Sequence, residues 1–321
     1  MTGADKRLRV LALHGGLVLV LFALQFLLPD YDHTNFTSIM VLATYAMGYN
    51  ILVGYTGLLS LGHAMFFAAG LYGAGMGVYY FALHPVLAFV IGSSAGLILA
   101  ALIGLIALRT TGVAFMIVTM MFAQAAFLVT LYFNDVTHGD EGLTLTQAAR
   151  GFDLLGWHVD LTNPALRYNL ALSLFTGALV LCLALVRSPI GRVLIAIREN
   201  EERTRMLGYD ARHYKLLALS LSGLLSGAAG AAYVLFFGYV GSSFAAIQYS
   251  IYPLLWVLLG GVGTVVGPII GTLLMFYLIE ISRDHMSSYM IVVGIMLVLL
   301  VLWFPKGIAG TIRARWWGWI P

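Results

Sequence analysis

The chain has 321 residues, of which 61% are hydrophobic and only 10% charged, with a formal net charge of +3. Soluble domains carry about 25% charged residues, so this chain cannot cover a water-facing surface of its own size. It reads as an integral membrane protein, all-α, whose main solvent is hydrocarbon.

The opening "MTGADKRLRV" places basic residues before an apolar stretch, 10–28, that is about a bilayer long and ends at Pro29-Asp30 without a small-residue cleavage site. It is expected to be an uncleaved first span. Further spans are expected near 36–53, 63–82, 86–108, 113–133, 169–186, 214–237, 247–261, 266–282 and 286–304, giving about ten in a polytopic helical bundle. Glycines recur at short intervals inside them, as at Gly70/Gly73/Gly77 and Gly223/Gly227/Gly230, a pattern that lets helices approach closely in lipid. "GGVGTVVGP" (260–268) interrupts an apolar run too long for one span. Whether it dips back as a re-entrant turn or simply links two helices is left open by the sequence. The single cysteine, Cys182, lies in an apolar run and reads as a buried thiol.

Basic residues set the direction. With ten spans, Lys6, Arg7, Arg9, Arg109, the seven cations of 187–215, Lys306, Arg313 and Arg315 share one face, fourteen of the seventeen. Arg150, Arg167 and Arg283 fall on the other, with most of the loop aspartates. Nine spans would divide the cations. Positive charge stays in the cytoplasm, so both termini are expected there. Two segments stand outside the bilayer: an external loop, 134–168, and a charged cytoplasmic stretch, 188–215. Trp303, Trp316, Trp317 and Trp319 fit an interfacial belt.

The spans carry no mid-membrane charge pair of the kind that ion coupling requires. Their polar residues are mild: Gln25, Asn50, Ser60, His63, Gln124 and, near a helix end, Glu280. No lysine follows a phosphate-cradling glycine loop, and no metal-ligand spacing or HExxH occurs. The chain is therefore expected to be non-enzymatic, with no cofactor of its own and no nucleic-acid partner. Asn50, Ser60, His63 and Gln124 are the candidates for lining a path, with helix-to-helix hydrogen bonding as the plainer alternative.

In "SPIGRVLIAIRENEERTRMLGYDARHYK" (188–215), Ser188 and Pro189 are good helix starts and Gly208 a stop. One helix is expected over 190–207, with Leu194, Ile197 and Ile195 as an apolar patch. Arg192, Arg198, Glu199, Glu201, Glu202, Arg203 and Arg205 would form a mixed-sign face. A helix lying on anionic lipid would be mainly basic; "ENEE" points instead to docking against a protein. A path without an energy source suggests a separate ATPase there.

Three motifs carry a family resemblance. "GYNILVGYTGLLSLGHAMFFAAGLYGAG" (48–75), the 188–215 stretch with the span after it, and "LLGGVGTVVGPIIGTLL" (258–274) resemble, in order and spacing, permease subunits of branched-chain amino acid type ABC importers. Of the two related permease types the chain looks like the second, M-type, as a single permease domain over 1–321. The resemblance implies a place in a bacterial inner membrane, a second homologous permease, two cytoplasmic ATPases holding ATP and Mg, and a periplasmic binding protein. It implies a coupling role for Gly191, Arg192, Ala196, Arg198, Glu199, Glu202 and Gly208. "VTHGDEGLT" (136–144) resembles the family's Thr-Gly-Gly-x-x-Gly-Leu element, with His138 where glycine is usual; Thr137, His138, Asp140 and Glu141 are its candidate external residues. The solute stays open among branched-chain amino acids, urea, short amides and aromatic acids. A stand-alone facilitator or channel for a small neutral solute such as urea is the competing reading.

Overall fold

The computed structural model describes residues 3–154 and 157–285, then 291, 294–295, 298–299, 302–304 and 306–316. Helices α1 (Gly3–Leu24), α2 (Asp30–Thr56), α3 (His63–Phe81), α4 (Pro85–Ala107) and α5 (Gly112–Tyr132) come first, then a single turn, α6 (Asn134–Thr137). A small outer layer follows. Strand β1 (Leu143–Thr144) is succeeded by the antiparallel hairpin β2 (Gly151–Leu154) and β3 (Trp157–Asp160), which pairs Gly151 with Asp160 and Leu154 with Trp157. Helix α7 (Pro164–Arg187) leads into the short helices α8 (Pro189–Glu199) and α9 (Glu201–Met206), and α10 (Ala211–Phe237) into strand β4 (Tyr239–Val240). Helices α11 (Ile247–Gly260), α12 (Gly267–His285) and α13 (Ile308–Arg315) complete the described chain.

The helix starts are written locally. Pro85, Pro164 and Pro189 occupy first turns, while Asn163, Ser188 and Asp210 side chains accept from the first free N–H groups of α7, α8 and α10. Among the described residues six helices are long and apolar enough to span a bilayer: Tyr31–Thr56, α3, α4, α5, α7 and α10. Leu8–Leu24 and α11 are apolar but shorter, and the expected tenth span, 286–304, lies mostly outside the described residues, as do Trp317 and Trp319.

Glycines let α3, α4 and α10 cross backbone to backbone. A Cβ on Gly70 would sit 2.0 Å from the Gly227 carbonyl oxygen, one on Gly92 2.5 Å from that of Gly70, and one on Gly96 2.5 Å from that of Gly223. Apolar side chains gain nothing by leaving lipid tails, so close van der Waals contact of this kind is what associates the helices. The most apolar stretches of α2 and α10 are 78% buried, and that of α5 only 17%. Helix α5 therefore lies on the bundle's flank.

Two segments break the up-and-down pattern inside the bundle. After Gly57 (φ 73) the chain turns back along α2, and the Ser60 carbonyl accepts from Tyr49 Oη at 2.9 Å. Tyr49 lies seven residues before the end of α2, so α3 starts about 10 Å inside. From the opposite end, 238–246 descends along α3. Val240 fills the space beside Gly75, Phe244 stacks on Phe67 with centroids 6.1 Å apart, and Ser250 Oγ accepts from Ala64 N at 2.9 Å. Helices α3 and α11 thus begin side by side at mid-depth and run in opposite directions. Segment 238–246, expected as part of an outer connection, is buried because α11's 14 residues cover only about 21 Å of a hydrocarbon layer of about 30 Å.

The 260–268 interruption is the turn of a tight antiparallel hairpin. A Cβ on Gly271 would lie 1.7 Å from the Trp256 carbonyl oxygen, and one on Gly260 1.7 Å from that of Gly267.

Candidate functional site

The mid-depth breaks are held by polar side chains. His63, at the start of α3, is fully buried; its Nε2 lies 2.7 Å from Ser222 Oγ of α10, and its ring packs edge-on to Tyr49 at 4.5 Å. Ser60 Oγ accepts from Gly62 N, and Thr119 Oγ1 of α5 accepts from Leu61 N. Irregular backbone survives at membrane depth only where such partners replace water. Asn50 of α2 does the same for the α11–α12 turn: its Nδ2 donates to the Thr264 carbonyl at 2.9 Å and its Oδ1 accepts from Gly263 N at 3.0 Å. Tyr45, Phe67, Tyr233, Phe244, Tyr249 and Trp256 form an aromatic cluster beside this seam. Of the four path candidates, Asn50, Ser60 and His63 are buried and bonded, while Gln124 is exposed halfway along α5.

The charged stretch forms an elbow at one end of the bundle. It is two helices rather than the single one expected over 190–207. Asn200 ends α8 in extended backbone (φ −160) and caps α9 through its side chain on Arg203 N. Asparagine competes with the helix by bonding nearby backbone, so it splits the segment where periodicity alone would have continued. Gly208 (φ 89) supplies the expected stop. Val193, Leu194 and Ile197 bury the inner face, whereas Ile195 is exposed; Gly191 allows α8 to meet α7, a Cβ there lying 2.3 Å from the Leu185 carbonyl oxygen. Arg192, Glu199, Glu202 and Arg203 project outward, and Ala196 is half-buried. The tip carries Met206 and Leu207, 84% and 76% exposed. Lys215, nearly buried, pairs with Glu201, which also holds Arg205 at 2.6 Å. Arg198 departs from the expected mixed-sign face: its Nη1 donates to the Gly54 carbonyl of α2.

At the opposite end, the 136–144 element is stitched to the descending segment. Strand β1 pairs with β4, matching Leu143 with Val240. Asp140 Oδ1 accepts from Ser242 Oγ at 2.6 Å, and Thr137 Oγ1 accepts from Gly139 N. His138 adopts a left-handed backbone (φ 55), the conformation that glycine takes freely. Glu141 is exposed. Arg150 and Arg167 both donate to the Phe236 carbonyl at the end of α10, at 3.2 and 3.1 Å.

Sequence reasoning missed Ser222, Ser250, Tyr49 and the descending 238–246. Single hydroxyls inside spans give no periodic signal. The Gly-Ser content of "GYVGSS" (238–243) marks a break without giving its depth.

Lipid-length helices crossing through glycines, with helix starts at mid-depth and a charged elbow at one end, define a multi-pass membrane permease. The chain belongs to the family of branched-chain amino acid transport system permease components, whose model matches residues 34–301. It is 30% identical over 300 residues to the high-affinity branched-chain amino acid transport system permease protein LivM of Escherichia coli, covering 87% of this chain and 70% of that protein. Its identity to LivM of Salmonella typhimurium is 28% over 302 residues, again 87% of this chain and 70% of the relative. The autoinducer 2 import system permease protein LsrC of Photorhabdus laumondii is 29% identical over 142 residues, 42% of this chain and 38% of that one. No solved structure matches.

Proposed function

We propose that this chain is one of two permease subunits of an ATP-driven importer for branched-chain amino acids or a related small solute. The importer has two separate ATPases, carrying ATP and Mg, one of which docks on this chain's elbow, and a periplasmic binding protein delivers solute to the opposite end. The observation that carries the reading is the elbow: α8 is buried into the bundle by Val193, Leu194 and Ile197, while its outer charges and the apolar tip Met206–Leu207 have no cover among the described residues. Force applied at Arg192, Glu199 and Glu202 passes into α2 through Arg198 and into α10 through Lys215.

In this reading the basic end faces the cytoplasm, in keeping with the retention of positive charge there. Solute passes along the α5 face that carries Gln124, against the second permease, since an amide facing lipid tails at mid-span is costly. Asn50, Ser60 and His63 hold the frame behind that face. Asp140 and Glu141 present the external loop to the binding protein, on a turn fixed by Thr137 and His138.

The test is reconstitution in liposomes. The chain alone should show neither solute flux nor ATP hydrolysis; with the second permease, the ATPases and the binding protein, solute should stimulate hydrolysis and be accumulated. Arg192→Glu or Glu199→Arg should abolish accumulation, through lost docking or uncoupled hydrolysis. Full transport by either variant refutes the coupling role, and solute flux through the chain alone favours a facilitator.

A further inference from the structure

A cavity of 550 Å³ opens where the elbow meets the α11–α12 turn and α13, lined by Arg198, Leu258, Val262, Thr264, Lys306, Gly310, Arg313 and Ala314. Three of these are cations and none is a carboxylate. Each guanidinium spends one nitrogen on backbone: Arg198 Nη1 donates to the Gly54 carbonyl, and Arg313 Nη1 to the Gly263 carbonyl at 3.2 Å. A Cβ on Gly263 would lie 2.8 Å from Arg198 Nη1, so both guanidiniums converge on the same turn. Among the described residues none of the three cations forms an ion pair; of the elbow's three glutamates, Glu201 is engaged with Arg205 and Lys215, and Glu199 and Glu202 project outward.

Three like charges around one space repel unless an anion lies between them, and two guanidiniums with free N–H forks are suited to a phosphoryl group. The opposite wall is apolar, with Leu258 39% exposed beside Val262 and Ala314. Trp303 and Trp316, 73% and 76% exposed, flank the segment, as aromatic residues do at the membrane interface.

We propose that this cavity binds a phosphate-class anion, its phosphoryl oxygens held by Arg198, Lys306 and Arg313 and any attached acyl chain lying against Leu258 and Val262. A phosphodiester headgroup of an anionic lipid fits both walls, because basic pockets between spanning helices collect such headgroups; inorganic phosphate satisfies the cationic wall alone. Through Arg198 the ligand touches the elbow, so occupancy ties α8 to the α11–α12 turn.

The full chain is placed in nanodiscs of phosphatidylcholine with or without phosphatidylglycerol, and lipid retained after detergent extraction is counted by native mass spectrometry. Unfolding is followed by tryptophan fluorescence with and without inorganic phosphate. Retention of phosphatidylglycerol over phosphatidylcholine should fall about fivefold in Lys306→Gln and again in Arg313→Gln, at about 1 kcal/mol per cation. Lys306→Arg should restore it, and Arg315→Gln, whose side chain does not line the cavity, should leave it unchanged. A lipid source gives retention that phosphate displaces weakly. A free-phosphate source gives stabilisation by phosphate that the same two variants abolish, without selective lipid retention. The proposal is overturned if neither probe distinguishes the variants from the parent chain.

Discussion

Asn50→Ala tests whether the α11–α12 turn is held to α2 by one side chain. The substitution leaves the Gly263 N–H and the Thr264 carbonyl without their partners, 3.0 and 2.9 Å from Asn50 in the parent, at a site where Asn50 is 2% exposed. An orphaned buried polar group costs about 1–3 kcal/mol, and interhelical hydrogen bonds in membranes average about 0.6, so the pair together is worth about 2 kcal/mol. For a chain of this size that lowers the unfolding midpoint by about 4 °C, read by tryptophan fluorescence of the detergent-purified chain. Gly54→Ala supplies the second arm of a cycle: its Cβ would lie 2.2 Å from Asn50 Oδ1 and 2.7 Å from Gly263 N, displacing the same amide. Because both changes break one contact, their costs should fall short of additivity by about 1 kcal/mol or more. Additivity to within about 0.5 kcal/mol, or an Asn50→Ala variant as stable as the parent, would refute the reasoning.

His138→Gly should stabilise the chain by about 0.5–1 kcal/mol, since relief of a left-handed residue (about 1–2 kcal/mol) outweighs glycine's added chain entropy (about 0.5–1); a lowered midpoint would count against strain at φ 55. Glu201→Gln leaves the nearly buried Lys215 ammonium without its counter-charge and should cost about 2 kcal/mol, less than for a fully buried pair because Glu201 is partly exposed, seen as a lower midpoint and faster proteolysis within 201–215. Gly271→Ala drives a methyl to within 1.7 Å of the Trp256 carbonyl oxygen and should abolish recovery of monodisperse protein. Gly177→Ala, with nothing within 4 Å, should leave the recovery of monodisperse protein, read by size-exclusion chromatography, unchanged.

What the sequence disclosed followed the strength of each physical signal. Lipid-length apolar runs located the six span-length helices found among the described residues, because hydrocarbon permits few alternatives at that depth. The elbow's boundaries were legible from Ser188, Pro189 and Gly208, whose backbone preferences are local. Its division at Asn200 was not, since asparagine within a charged run reads equally as helix surface. Arg198 looked like one more surface cation, but its helical position turns it toward the Gly54 carbonyl, and only the packing of α8 on α2 shows that. His138 was visible as a departure from a glycine pattern, and its positive φ supplies the reason. Segment 238–246 escaped because its burial depends on α11 being too short to span alone, a tertiary property with no local mark.

The uneven burial of the helices separates what can move from what cannot. Helices α3, α4 and α10 meet through glycine backbones with no room for a methyl group, and such a contact has no looser arrangement in which it stays satisfied. The α11–α12 hairpin is locked in the same way and joined to α2 through Asn50; α8 is joined to α2 through Arg198. In the importer reading a push on the elbow therefore moves α2, α8 and the hairpin turn together. Helix α5 is different: its largely exposed surface meets the frame through Thr119, which accepts from Leu61 N, and through packing near 242–245. It also packs on α3 and on the continuous helix α4, though the 242–245 turn is its principal neighbour. Irregular backbone rearranges at lower cost than a close-packed crossing, so on that reading a displacement of the frame reaches the Gln124 face chiefly through the breaks at 57–62 and 238–246. In the importer reading, solute access is governed where the helices are interrupted, and the glycine-packed core is the rigid body that carries the stroke to that place.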